Sequence, residues 1–280
     1  MRMSYTDQLI EIAILEDVGD GDHSSLACIP DAAGGKAQLL VKEDGVIAGV
    51  ALAEKIFRRM DPELVFKSFI NDGDLIKKGD IVFTIEGSSR SILQAERLVL
   101  NFMQRMSGIA TNTKHYVNLL EGLQTKVLDT RKTTPGLREV EKWAVKIGGG
   151  ENHRIGLYDM IMIKDNHIDY AGGIEAAIIS TRNYLQAKGK DLKIEIEVRD
   201  LNELDEVLAI GGVDRIMLDN FSFDDLRTAV KRIDGKYETE ASGGINEHTI
   251  RAYAECGVDY ISVGALTHQI KSLDLSLKAL

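Results

Sequence analysis

Lys193-Ile194-Glu195-Ile196-Glu197-Val198, followed by Leu201 to Leu208 and then Arg215-Ile216-Met217-Leu218-Asp219, is the stretch that decides the fold. Two short runs rich in Ile, Val, Leu and Met flank a segment whose leucines recur at helical spacing. Strand, helix and strand of these lengths make a parallel unit with a right-handed crossover.

Outward from that unit the alternation repeats. Further strands are predicted at Lys126–Asp129, Met160–Ile163 and Tyr260–Val263, with a weaker one at Tyr237–Glu240. Helices are predicted at Leu137–Val145, Gly173–Gln186, Asp224–Ile233 and Glu247–Cys256. A full eight-stranded barrel takes about 250 residues. This segment is shorter, so we expect a short, open α/β barrel of six or seven parallel strands over residues 111–267, with an open doubly wound sheet as the alternative.

The first part of the chain has a different texture. Asp7–Glu16 reads as a short helix, and Asp17–Ser25 as a turn-rich loop. Ala37–Val41 and Ile81–Ile85 are strand signals set among Gly/Asp turns, with a helix at Leu52–Met60 between them. Residues 1–110 are thus expected to form an α/β sandwich domain, against which a C-terminal helix at 268–280 packs. Ser91–Ile109 reads as a helix with one apolar stripe and one polar stripe of Gln94, Arg97, Asn101 and Gln104. On pattern alone that polar stripe is a solvated face.

Chemistry in such barrels sits on loops at the carboxyl ends of strands. Those loops carry Thr130-Arg131-Lys132-Thr133-Thr134-Pro135-Gly136, Lys164-Asp165-Asn166-His167, Glu197, Asp219-Asn220, Ser242-Gly243-Gly244 and Gly264-Ala265. Arg131, Lys132, Lys164 and Arg154 gathered in one cleft would repel each other unless they meet an anion. His153 adds a titratable group. Gly148-Gly149-Gly150 imply that the backbone there comes very close to something. Ser242-Gly243-Gly244, read as preceding a helix near Asn246 or Glu247, suits a phosphate, with Gly264-Ala265 as the other half of the cradle. Glu197 and Asp219 read either as ion-pair partners of the cations or as acids facing a ribose and a Mg²⁺ ion.

Composition narrows the classes further. A net charge of -10 argues against non-specific nucleic-acid binding. No apolar run suits a signal peptide or a membrane span, and two widely spaced cysteines, Cys28 and Cys256, fit a reducing compartment. A cytoplasmic protein is expected. Asp72–Asp80 resembles the turn-rich segment of lipoyl and biotinyl carriers. No lysine between Leu39 and Glu86 has the flanking residues those carriers need.

The strand-end motifs taken together resemble a known family. Asp129–Gly136, Gly148-Gly149-Gly150-Glu151-Asn152-His153-Arg154, Lys164-Asp165-Asn166-His167 and Glu240-Ala241-Ser242-Gly243-Gly244-Ile245 occur in the order found in quinolinate phosphoribosyltransferases. That resemblance implies transfer of a phosphoribosyl group from phosphoribosyl pyrophosphate to quinolinate, with loss of CO₂ and use of Mg²⁺. It implies that Arg131, His153, Arg154 and Lys164 bind quinolinate, with Thr130 beside them and Lys132 between the two substrates. Glu197 and Asp219 would face the ribose and the metal, directly or through water, and with Lys132 and Lys164 form the catalytic set. Ser242, Gly243, Gly244, Gly264 and Ala265 would hold phosphate. It also implies a homodimer in which Arg97 is supplied across the interface. Among related proteins, a phosphoribosyltransferase-like protein of molybdenum transport shares the Thr-Arg-Lys motif and is the alternative.

Overall fold

The computed structural model describes residues 4–280. The chain opens with α1 (Tyr5–Val18), α2 (His23–Cys28), β1 (Gly34–Val41), β2 (Gly45–Val46) and α3 (Val50–Met60). It continues through β3 (Val65–Ser68), β4 (Leu75–Ile76), β5 (Ile81–Ser88) and the long α4 (Ser89–Leu119). Then follow β6 (Lys126–Leu128), α5 (Arg138–Ile147), β7 (Ile161–Ile163), α6 (Asp165–Ala171), α7 (Ile174–Lys188), β8 (Ile194–Val198) and α8 (Leu201–Ile210). The remaining elements are β9 (Arg215–Asp219), α9 (Phe223–Ile233), β10 (Glu238–Ser242), α10 (Ile250–Ala254), β11 (Tyr260–Ser262), α11 (Ala265–His268) and β12 (Leu275–Ala279).

These elements form two compact units. One comprises residues 4–115, 133–149 and 266–280, the other 116–132 and 150–265. The first unit holds an antiparallel sheet in the order β12-β1-β5-β3. Leu39, Val41, Val82, Phe83 and Ile85 fill its buried face against Ile56 and Phe57 of α3. The start of α3 is capped from a distance: the Asp72 carboxylate accepts the backbone N–H of Val50 at 2.8 Å and of Ala51 at 3.2 Å.

The C-terminal segment corrects the sequence reading. No helix forms over 268–280; Leu275, Leu277 and Ala279 are β12, paired antiparallel with Val41, Leu39 and Ala37 of β1. Leu, Lys and Ala favour helix by propensity, but Leu273, Leu275 and Leu277 alternate with period two and are buried by the sheet. The expected loop at Asp17–Ser25 ends in a helix as well. Asp22 accepts the Ser25 backbone N–H at 3.1 Å and so starts α2 at His23.

In the second unit all six predicted strands are present, parallel, in the order β6-β11-β10-β9-β8-β7. β6 and β7, the first two strands of this unit in sequence, lie at the two edges and do not pair with each other, which makes the barrel open. Glu151 adds one isolated parallel bridge beside Leu128 on the β6 edge. Along β8 the residues Ile194, Ile196 and Val198 point one way, Glu195 and Glu197 the other. Register places Glu195 beside Arg215, and Met217 beside both Glu197 and Glu240. The interior of this barrel therefore carries polar layers, while the apolar residues of β8 face the helices.

Candidate active site

The carboxyl ends of these strands surround one cavity of about 210 Å³. That is several times the ~30 Å³ share of one water in the liquid, so it takes a ligand rather than a bridging water. Its walls are Thr130, Arg131 and Lys132 after β6, His153 and Arg154, Met162 and Lys164 at β7, Met217, Glu240, Ser242 and Ser262. Residues from both edges of the open sheet line the same space, so the sheet curves around it.

Each wall has a local cause. The Thr130 hydroxyl accepts the Lys132 backbone N–H at 3.0 Å, which folds the Thr-Arg-Lys turn back over the strand end. Asp129, fully buried, accepts the His153 backbone N–H at 2.8 Å and ties the Asn152-His153-Arg154 segment to β6. His153 Nδ1 in turn accepts the Arg154 N–H at 2.7 Å, which fixes the orientation of the ring. The Arg154 guanidinium donates to the Met160 carbonyl at 3.3 Å. Lys164 reaches Glu197 Oε2 at 3.2 Å, and its backbone N–H is accepted by His167 Nδ1 at 2.9 Å at the start of α6.

The electrostatics favour an anion. Burial lowers the pKa of Arg154, and the neighbouring Arg131 lowers it further. Two guanidiniums pressed together in a partly desolvated cavity gain most from a dianionic ligand between them. Below them, Glu195 and Glu240 are buried with His153 Nε2 2.9 Å from Glu195 Oε2 and 3.5 Å from Glu240 Oε2. Burial raises both carboxyls, Glu195 to about 7 and Glu240 to about 8. Arg215 closes the floor, 3.2 Å from Glu240 and stacked 4.2 Å from the Tyr260 ring centre.

Of the residues singled out in the sequence, Thr130, Arg131, Lys132, His153, Arg154, Lys164 and Ser242 line the cavity. Glu197 joins them through Lys164, and Asp219 sits level with Ser242 in the register of β9 and β10. Gly243 and Gly244 follow with φ of +104° and +62°. Gly264 and Ala265 follow β11 and are not among the lining residues. Arg97 is exposed on α4 in the first unit.

One expectation is corrected and another is met. No helix begins at Asn246 or Glu247; those residues form a turn and α10 starts at Ile250, five residues long, so no helix end backs Ser242-Gly243-Gly244. The close approach implied by the glycine triplet is met by α4. A Cβ on Gly148 would lie 2.5 Å from the Ala110 carbonyl oxygen and 2.7 Å from Thr113 Cβ. The sequence reading also missed the floor: Glu195, Glu240 and Arg215. Its signal was present as charged residues at alternate positions in strands that are otherwise continuously apolar.

Comparison with known proteins agrees with this geometry. Residues 22–107 match the N-terminal domain of quinolinate phosphoribosyl transferase and residues 109–278 its C-terminal domain. A quinolinate phosphoribosyltransferase [decarboxylating] of Nicotiana tabacum is 48% identical over 96% of this chain and 81% of its own length. A probable nicotinate-nucleotide pyrophosphorylase [carboxylating] of Bacillus subtilis is 43% identical over 96% and 92%. The crystal structure of NadC from Streptococcus pyogenes superimposes with a TM-score of 0.92 at 41% identity, covering 100% of this chain and 99% of that one. Spanning both domains, these matches show that the chain belongs to the quinolinate phosphoribosyl transferase family.

Proposed function

We infer that this protein transfers the phosphoribosyl group of phosphoribosyl pyrophosphate to quinolinate and decarboxylates the product, giving nicotinate mononucleotide, pyrophosphate and CO₂ for NAD synthesis. The observation that carries this is the convergence of Arg131, Lys132, His153, Arg154 and Lys164 on one cavity. A pyridine with two adjacent carboxylates matches that charge. The relatives do not favour the molybdenum-transport alternative.

The pyridine nitrogen attacks C1 of the ribose as pyrophosphate departs, through a transition state with oxocarbenium character. No protein nucleophile is needed. Arg131 and Arg154 hold the carboxylates and thereby orient the nitrogen. Lys132, exposed on the Thr-Arg-Lys turn, is placed to meet the second anion. Glu197 and Asp219, at the ends of neighbouring strands, are suited to ribose hydroxyls. Once the nitrogen is alkylated, the positive ring stabilises the electron pair left at C2 when CO₂ leaves.

A Mg²⁺ ion fits these residues in one manner. Glu197 and Asp219 are hard oxygen donors, neither of them buried, and two carboxylates suffice for an ion that brings phosphate oxygens and waters as its other ligands. Bound there, it supplies positive charge to the departing pyrophosphate.

The active unit is a homodimer in this reading, with Arg97 entering a partner's site. The first unit supports it with a groove lined by Leu9, Ile12, Ala13, Leu98 and Phe102. Ile12 is 63% exposed and nearby Leu15 72%, an apolar surface that association would cover. A cytoplasmic location is supported by the two unpaired cysteines, Cys28 and Cys256. Among the described residues no helix is long and apolar enough to cross a membrane.

The deciding experiment is quinolinate-dependent release of CO₂ and pyrophosphate in the presence of phosphoribosyl pyrophosphate and Mg²⁺. A purified, folded protein that releases neither would overturn the assignment.

A further inference from the structure

The floor of the cavity carries three buried charged residues, Glu195, Glu240 and Arg215, that the transfer chemistry does not use. Glu240 of β10 is fully buried and lines the cavity. It is faced from every side by a polar group: His153 Nε2 at 3.5 Å, Arg215 Nη1 of β9 at 3.2 Å, the Glu195 carboxyl of β8 and the Ser262 hydroxyl of β11. Glu238, on the same strand, is engaged by Arg215 at 3.0 Å. His153 Nδ1 accepts the Arg154 N–H, so a neutral ring carries its hydrogen on Nε2, the nitrogen turned toward the two carboxyls.

This cluster is short of donors. Glu240 Oε1 and both oxygens of Glu195 are buried without an aligned hydrogen-bond partner. Two carboxylates in mutual contact, with the single Nε2 hydrogen of a neutral His153 to share, repel each other unless one retains a proton. The ligand reinforces this. A quinolinate dianion above the floor is repelled by each negative charge below it, so binding favours a proton on Glu240.

We propose that Glu240 is a further catalytic residue, which enters the reaction as a neutral carboxylic acid and gives its proton to C2 of the ring as CO₂ departs. This rests on the reaction inferred above. The bond between C2 and its carboxylate breaks and leaves its electron pair on C2. The O–H bond of Glu240 breaks, a C–H bond forms at C2, and the carbanion is trapped before CO₂ can recombine. Glu240 is left as a carboxylate against Arg215 and regains its proton from water once product has left. Burial, then Glu195, raises Glu240 to about 8, which keeps the acid form in place near neutrality.

A metal ion is the competing occupant, because the ligand atoms of His153, Glu195 and Glu240 lie within 4.8 Å of one another. Arg215 at 3.2 Å from Glu240 opposes a divalent cation at that point, and the cluster's missing hydrogen-bond donor is what a proton supplies.

Glu240→Gln keeps the shape of the side chain and removes the acid. In a single turnover by rapid quench, pyrophosphate should form within about threefold of the native rate while CO₂ release slows about 100-fold, so that the carboxylated mononucleotide accumulates. CO₂ and pyrophosphate released in step at the native rate by this variant would overturn the proposal, as would stoichiometric zinc in the purified native protein. If Glu240→Gln does not fold, Ser262→Ala takes its place. The Ser262 hydroxyl favours the ionised form of Glu240. Its loss should therefore move the alkaline fall of the CO₂ step to higher pH, and an unmoved profile would overturn the proposal. A native protein that forms neither product defeats the reaction itself, which is a different outcome.

Discussion

Asn220 donates its side-chain amide to Asp219 Oδ2 at 2.6 Å while its own backbone stands at φ 56°, a conformation that few residues other than glycine adopt. Its backbone N–H is given to the Ser242 carbonyl at 2.9 Å, so one residue joins the ends of β9 and β10 and orients the Asp219 carboxylate. Gly243 is shaped around it. A Cβ there would lie 2.2 Å from Asn220 Oδ1 and 2.9 Å from the Asn220 backbone nitrogen, at a φ of +104°.

Gly243→Ala should therefore push Asn220 aside and turn Asp219. The expected result is a KM for phosphoribosyl pyrophosphate raised about tenfold or more, since ångström misplacement costs up to 10²-fold, with quinolinate binding little changed. Steady-state kinetics with each substrate varied in turn checks the split. Equal effects on both substrates would point to general damage.

Arg131→Ala and Arg154→Ala should each weaken quinolinate binding by about 2–5 kcal/mol, because a desolvated charge loses its partner. Calorimetric titration of quinolinate reads this directly. The double variant should lose less than the sum of the two, since each guanidinium also lowers the charge repulsion felt by the other when it is removed.

The barrel was readable from the chain because parallel strands covered by helices leave continuous apolar runs such as Ile216-Met217-Leu218. Its strand-end loops were readable because Thr130-Arg131-Lys132 and Ser242-Gly243-Gly244 follow those runs immediately. The floor was not, because Glu195 meets Arg215 only through strand register, a tertiary quantity. The C-terminal strand was lost to propensity, and α2 to the Gly/Asp turns before it. α6 was lost because Asp165-Asn166-His167 read as loop chemistry, whereas His167 accepting the Lys164 N–H starts a helix there.

The buried Glu240 should leave a mark on stability. Its folded pKa, about 8, lies above the 4.5 of a carboxyl open to water in the unfolded chain. Between those values the unfolded chain has lost the proton and the folded protein has kept it, so rising pH favours unfolding. The stabilisation is whole below the lower value and is lost by the upper one, with a slope of at most about 1.4 kcal/mol per pH unit. Melting temperatures of native protein minus Glu240→Gln should fall steadily from pH 5 to 8. A flat difference would mean that Glu240 is ionised throughout.

Sharing of sites between chains has its own test. Arg97→Ala and Lys164→Ala proteins should each be nearly inactive alone. Mixed and allowed to exchange subunits, they should recover up to about a quarter of native activity: random exchange makes half of the dimers mixed, and each mixed dimer keeps one intact site. No recovery despite exchange confirmed by native mass spectrometry would place Arg97 in its own chain's site or in none.

Arg105 and Glu141 offer a test of the first unit that is independent of catalysis. Glu141 is fully buried on α5 and accepts Arg105 Nε at 2.8 Å, Arg105 Nη2 at 2.6 Å and the Thr134 backbone N–H at 3.2 Å. The guanidinium also donates to the Thr134 hydroxyl at 2.7 Å, so one arginine holds α4, α5 and the turn before α5 together. Arg105→Ala leaves a buried carboxylate with a single backbone donor, which should cost about 3–5 kcal/mol in urea unfolding. Glu141→Gln in the same background removes the stranded charge and should return part of that loss. If the double variant is no more stable than Arg105→Ala alone, the penalty comes from lost packing of the arginine stem and not from the buried charge.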